Sequence, residues 1–254
     1  MQGIFRNPLA DPSITGVSSG AALGAVLAIT LGLPFWGMQI GALACGLSAF
    51  AAVCILGRLE GRLNALSMLL AGIAVNAFCG ALVGYCMYNA REGGLKSFVF
   101  WSLGSLDAAD WNGIILCACF AIPAWIILLL SHRGLDLMSL GAEQAFNSGV
   151  NVKRLWYATA FAASAATAAC VAISGVIGFV GLVVPHMMRM LCGAENKKLL
   201  PLSAIAGANL LVASDLISRL LSPSDAVPIG VITALTGVPF FMFLLARNKR
   251  RENA

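Results

Sequence analysis

From Ile14 onward the chain is a succession of apolar runs, most of them as long as a helix that crosses a bilayer. Such a helix needs roughly 20 apolar residues. Eight runs qualify: Ile14–Leu33, Gly37–Gly57, Leu66–Tyr88, Gly113–Ser131, Leu155–Gly175, Val176–Cys192, Leu199–Leu221 and Val227–Ala246. The sixth is the shortest and follows the fifth through Ser174-Gly175 with almost no loop. Only 11% of the residues are charged, against about 25% in a soluble domain. A chain of this kind cannot cover a water-facing surface. The pattern predicts an all-α, polytopic membrane bundle of about eight transmembrane helices, forming one transmembrane domain over residues 1–254.

The cations orient it. With the N-terminus inside, Arg6, Arg58, Arg62, Arg133, Lys153, Arg154, Arg189, Lys197, Lys198, Arg247, Lys249, Arg250 and Arg251 fall on the inner side. Arg91, Lys96 and Arg219 fall on the outer side, so the 16 Lys and Arg divide thirteen to three. That bias predicts cytoplasmic N- and C-termini and an even number of spans. Trp36, Trp101 and Trp111 then lie near the outer boundary and Trp156 near the inner one. A net charge of +5 spread over loops serves orientation rather than nucleic-acid binding.

The largest inward surface is the polar island His132–Arg154, HRGLDLMSLGAEQAFNSGVNVKR. Its middle, Met138–Val150, reads as one short amphipathic helix bracketed by Gly141 and Gly149. Leu140, Ala145 and Val150 are its apolar members; Glu143, Gln144, Asn147 and Ser148 are its polar ones. Two readings stand: a connector lying on the headgroups, and a surface that presses on a soluble partner.

Other features carry less. Gly16, Gly20 and Gly24, four apart, predict close helix packing in lipid. Ser97–Leu106 in the outer loop predicts a short helix at the membrane surface, either lining a mouth or sealing the bundle. Asp215 and Arg219, four apart, can pair on one helix face, either as a local ion pair or as a docking charge. Pro185 and His186 predict a kinked helix with a structural histidine. The eight cysteines lie in or at the ends of apolar runs, make no CxxC pair and read as packing residues. Residues Met1–Asp11 lack the charged region and apolar core of a cleavable signal peptide. Among catalytic signals, no nucleophile–base pairing is visible and no GxxxxGK[ST] phosphate loop is present. An active pump of this sequence must therefore draw its energy from another chain.

Several strings, in order, resemble one family. They are Arg6-Asn7-Pro8-Leu9-Ala10-Asp11-Pro12, Gly16-Val17-Ser18-Ser19-Gly20-Ala21, Leu70-Ala71-Gly72-Ile73-Ala74-Val75-Asn76 and Phe100-Trp101-Ser102-Leu103-Gly104-Ser105. They continue with Leu140-Gly141-Ala142-Glu143 and Gly149-Val150, Gly178-Phe179-Val180-Gly181-Leu182-Val183-Val184-Pro185-His186 with Arg189, Pro228-Ile229-Gly230-Val231, and Thr236-Gly237-Val238-Pro239-Phe240-Phe241. The chain resembles, over essentially its whole length, the permease subunits of ABC importers for iron-siderophores, haem and vitamin B12. That resemblance implies a homodimer around a central pathway in the bacterial inner membrane, with two ATP-binding subunits inside and a periplasmic or lipid-anchored substrate-binding protein outside. It implies no cofactor on this chain, ATP-Mg being held by the partner subunit. Leu140, Gly141, Glu143, Gly149 and Val150 would meet the ATPase. Arg219 would dock the binding protein, Asn64, Ala65, Leu66 and Ser67 would sit at the inner gate, and Phe100 and Trp101 at the outer mouth. Family members carry ten helices; this chain begins within the stretch that ends their second, leaving eight spans.

The implied function is the transmembrane subunit of an ATP-driven importer of an iron-siderophore, haem or corrinoid, and not an enzyme. Two alternatives differ in class. An ion-coupled carrier or channel needs a mid-membrane ion site, and acidic residues are scarce there. A non-transporting fragment would insert and carry nothing.

Overall fold

The computed structural model describes residues 1–5, 11–57, 65–107, 109–221 and 227–252, without side chains at 4–5, 12, 65–66, 241 and 243–252. The described residues form helices and connecting turns, with no strand among them. After α1 (Gln2–Phe5) and a 3-10 turn (Pro12–Thr15) come α2 (Val17–Thr30), α3 (Phe35–Leu56), α4 (Ala65–Tyr88), α5 (Glu92–Ser102) and α6 (Trp111–Leu130). They are followed by α7 (His132–Leu140), α8 (Ala142–Asn147), α9 (Val152–Ser174), α10 (Val180–Cys192), α11 (Asn196–Leu221) and α12 (Ile229–Glu252).

Each of the eight expected runs contains a helix, but the lengths differ. Five helices are long and apolar enough to cross a membrane: Phe35–Leu56, Ser67–Tyr88, Trp111–Leu130, Val152–Ser174 and Asn196–Leu221. Val17–Thr30, Val180–Cys192 and Ile229–Phe240 are shorter apolar helices. At 1.5 Å per residue, the 13 residues of α10 span only about 20 Å. Its run is shortened because 175–179 is irregular, with Phe179 in the left-handed region at φ 68. The start of that segment is held against the loop after α5, where Gly175 is buried. Ser105 N–H donates to Ser174 O at 2.8 Å, and a Cβ on Gly175 would overlap the Trp101 carbonyl.

The centre of the bundle is α9, an alanine-rich helix. Ala160, Ala162, Ala165, Ala168, Ala169 and Ala172 are all buried, and the helix packs against α2, α3 and α6. Small side chains let neighbouring backbones come close where apolar burial supplies no drive. The same device joins α2 to α3, as the glycine spacing predicts. A Cβ on Gly20 would sit 2.5 Å from the Cys45 carbonyl oxygen, and one on Gly24 would overlap the carbonyl of Gly41.

Trp36 and Trp111 are exposed, 62% and 79%, as expected of residues at the apolar boundary. Trp156 is not: only 7% of it is accessible, and it meets Tyr157 edge-on at 5.4 Å. It is a core residue. It lies near the start of α9, the helix against which α7 and α8 pack, and belongs to the buried core cluster.

Candidate functional site

The polar island is two helices rather than the single Met138–Val150 helix expected. α7 continues from the end of α6 almost without pause, and the break falls at Gly141, whose backbone takes φ 153 and ψ 139. A side chain at that φ is strained, so glycine sets where the chain turns. α8 restarts with Ala145 N–H donating to Gly141 O at 2.8 Å, and Val150 N–H closes the turn on Ala145 O at 3.0 Å. Asn151 then caps α9, its Oδ1 accepting from Arg154 N–H at 3.0 Å.

The turn has an anchored face and a free one. Leu135, Met138 and Ala145 are buried, at 6%, 4% and 0%, and Val150 packs against the core. Leu140 and Phe146 project outward, 69% and 70% exposed, one on each side of Gly141. Glu143, Gln144, Asn147, Ser148 and Gly149 are exposed around them. Of the residues expected at an ATPase contact, Leu140, Gly141, Glu143 and Gly149 therefore share this face, whereas Val150 turns inward. Phe146 belongs to the face and was missed. Its signal was a large apolar side chain three residues before the αL Gly149, left out of the apolar members Leu140, Ala145 and Val150.

Asp136 links the turn to the rest of the bundle. Its Oδ1 accepts from Asn196 N–H at 2.9 Å and from Asn196 Nδ2 at 2.7 Å. This places Lys197, Lys198 and Glu195 at the same end as the turn, with Lys198 and Glu195 paired at 3.2 Å.

At the opposite end of α11, Arg219 makes the ion pair its spacing predicts, Nε to Asp215 Oδ2 at 2.9 Å. Its other arm reaches Asp107 Oδ1 at 2.9 Å. Asp107 lies in the loop after α5 and could not be found by spacing. Arg219 thus bridges two carboxylates on an exposed surface. Exposed pairs contribute little to stability, and a carboxylate of another protein can replace either partner at small cost.

The loop after α5 is strapped in place: Ile229 N–H donates to Gly104 O at 3.0 Å and Gly230 N–H to Leu103 O at 3.1 Å. A short helix does form in this loop, but α5 runs Glu92–Ser102 rather than Ser97–Leu106. Phe98 is buried and stacks on the half-buried Trp101 at 6.1 Å, while Phe100 is 54% exposed with Lys96 Nζ 5.9 Å from its ring centre. The two aromatics expected at an outer mouth therefore differ. Trp101 is fixed in the packing and Phe100 is available.

The family is decided by comparison of the whole chain. Residues 1–247 match the FecCD transport family. The chain belongs to that family. As a FecCD permease it is a membrane-spanning subunit of an ABC importer, without enzymatic activity of its own, in a system that also has ATP-binding subunits and a substrate-binding protein. It is 40% identical over 259 residues to the hemin transport system permease protein HmuU of Yersinia pestis, covering 100% of this chain and 77% of HmuU. It is 39% identical over 253 residues to the Fe(3+) dicitrate transport system permease protein FecD of Escherichia coli, covering 97% of this chain and 77% of FecD. It is 40% identical over 247 residues to the cobalamin import system permease protein BtuC of Halobacterium salinarum, covering 96% of this chain and 66% of BtuC. Among solved structures it is similar to an inward-facing metal-chelate type ABC transporter, with a TM-score of 0.90 and 35% identity over 97% of this chain and 79% of that one.

Within this FecCD permease the remaining expected residues divide. Asn64 lies outside the described residues, as do the side chains of Ala65 and Leu66; Ser67 is half-buried on the first turn of α4. Further along α4, Asn76 Oδ1 accepts from Ser19 Oγ at 2.5 Å and Asn76 Nδ2 donates to Ser13 O at 3.2 Å. These groups edge an open cavity of about 490 Å³ lined by Ser13, Ile14, Ser18, Ser19, Leu69, Ile73 and Asn76. Asn76 was legible in the sequence only as the end of a matched string. His186 has no cluster of metal-ligating companions among the described residues.

Proposed function

We propose that this chain is a single permease domain that pairs with a second copy and imports an iron-siderophore, haem or corrinoid across the bacterial inner membrane. One observation carries the reading. The α7–α8 turn is anchored by buried Leu135, Met138 and Ala145 and presents two exposed apolar side chains, Leu140 and Phe146, beside Glu143. Two such side chains on a polar turn suit a cleft in a soluble partner better than water. The ATP-binding subunit is that partner, and the turn is where it pushes.

The sorting of cations supports termini on the ATPase side. Arg133, Lys153, Arg154, Lys197 and Lys198 gather at the end of the turn, and Arg219, Arg91 and Lys96 belong to the other. The substrate-binding protein docks at that other end, offering a carboxylate to Arg219 in exchange for Asp107. Substrate enters by Phe100, passes the polar edge at Ser19 and Asn76, and leaves by the inner gate at 64–67. No covalent step is needed: ATP binding favours one of two arrangements of the helices by differential affinity. The chelates named for the relatives, haem, iron citrate and cobalamin, set the substrate class.

The test is reconstitution with the ATP-binding and substrate-binding subunits in proteoliposomes, with labelled ferric siderophore, haem and cobalamin supplied outside. ATP-dependent uptake of one of them, abolished without the ATP-binding subunit, is expected. Uptake that persists without that subunit, or uptake of none of the three, overturns the reading.

A further inference from the structure

The two long arms of the coupling turn, α6 and α9, run side by side and meet at a pair of thiols. Cys117 Sγ and Cys170 Sγ lie 3.9 Å apart. Cys117 is six residues into α6 and Cys170 four residues from the end of α9, so both sit within about 10 Å of the hairpin end remote from α7 and α8. Cys117 is half-buried and Cys170 exposed, and all eight cysteines are free thiols. Sulfurs already in contact across a fixed helix pair need close only to about 2.0 Å to bond. Each thiol hangs from a single rotatable Cα–Cβ bond, so rotation about it moves the sulfur.

We propose that Cys117 and Cys170 are an oxidisable dithiol that closes into an intrachain disulfide, clasping α6 to α9. The ring so formed contains α7 and α8, and both arms must then carry the turn as one body. The step needs a two-electron acceptor, and a diazene serves. One thiol adds across the N=N bond, giving a sulfenyl hydrazide. The second thiolate attacks that sulfur, the S–N bond breaks, and the nitrogen pair leaves as the hydrazine with both hydrogens. Sulfur is oxidised, nitrogen reduced, and the balance is two thiols and one diazene to one disulfide and one hydrazine. The proposal rests on this chain's own thiols and is independent of import activity.

The experiment uses the full chain in detergent, treated with diamide, quenched, denatured and counted for maleimide-reactive thiols by mass spectrometry. The expected count falls from eight to six, the Cys117 and Cys170 peptides are recovered linked, and dithiothreitol restores all eight. Cys117→Ser and Cys170→Ser each hold seven labelled thiols with or without oxidant. Phenylarsine oxide, which captures paired thiols without oxidising them, is expected to protect the same two positions. A count that stays at eight, linkage of either cysteine to a different cysteine or to a second copy, or no protection by the arsenical overturns the proposal.

Discussion

Asp136, in the middle of α7, accepts two hydrogen bonds from Asn196, the first residue of the 26-residue helix α11. The carboxylate does for α11 what a local N-cap side chain does for most helices, from 60 residues away in sequence. The favourable sign of a carboxylate near the positive end of a helix adds to it. At its far end α11 carries Arg219, joined to Asp107. One rod therefore touches both α7 and the loop after α5.

Asp136→Ala is expected to destabilise the protein by about 1–2 kcal/mol, the range for losing an N-cap together with a charge-assisted hydrogen bond. Asn196→Ala removes only the side-chain bond and is expected to shift the melting temperature less. Thermal unfolding in detergent measures both; an equal or reversed order of the two variants would contradict the capping role.

Leu140→Ser and Phe146→Ser together are expected to leave the melting temperature unchanged, because both side chains are already exposed. The same double variant is expected to lose co-purification with the ATP-binding subunits at least tenfold. Ala145→Leu is the contrast: overpacking a fully buried site is expected to cost about 1–3 kcal/mol. If the double variant co-purified normally, the turn would not be the contact.

Arg219→Ala and Asp107→Ala touch exposed groups only and are expected to leave thermal stability unchanged. They separate at the docking step. Without Asp107 the guanidinium keeps one carboxylate fewer, so binding-protein affinity is expected to rise; without Arg219 it is expected to fall. Surface plasmon resonance on the permease in nanodiscs reads both, and a fall on losing Asp107 would exclude the exchange of partners.

Gly24→Val is expected to prevent α2 and α3 from closing, since even a methyl group there would overlap the Gly41 carbonyl. The yield of folded protein from membranes is expected to drop sharply. Gly80→Val, where nothing lies within 4 Å of an added Cβ, serves as the control and is expected to fold normally.

Trp156→Ala is expected to cost about 3–5 kcal/mol, the range for emptying a buried aromatic site, while Trp111→Ala, 79% exposed, is expected to be tolerated. Equal effects in a thermal melt would argue that Trp156 faces the headgroups after all.

Much of the architecture was readable from apolar run length, because a bilayer demands about 20 apolar residues of any spanning helix. The reading erred where protein replaces lipid as the surroundings. Residues 175–179 are apolar enough to be helix, yet the helix ends at Ser174, whose carbonyl accepts from Ser105 N–H of the loop after α5. Trp156 looked interfacial from its place at an end of an apolar run, and no periodicity reveals that it joins the buried core cluster.

What the sequence by itself determined is the helical membrane class, the sorting of cations to two ends, the close-packing glycine face of α2, and the Asp215–Arg219 pair. All of these depend on composition or on spacings within a single helix. Only the tertiary structure decided that the polar island breaks at Gly141, that Phe146 stands out beside Leu140, that Asp107 shares Arg219, and that Asp136 caps α11. Each of these joins segments distant in sequence or depends on one backbone angle, and hydrogen bonds and packing across helices leave no period in the chain from which they could be read.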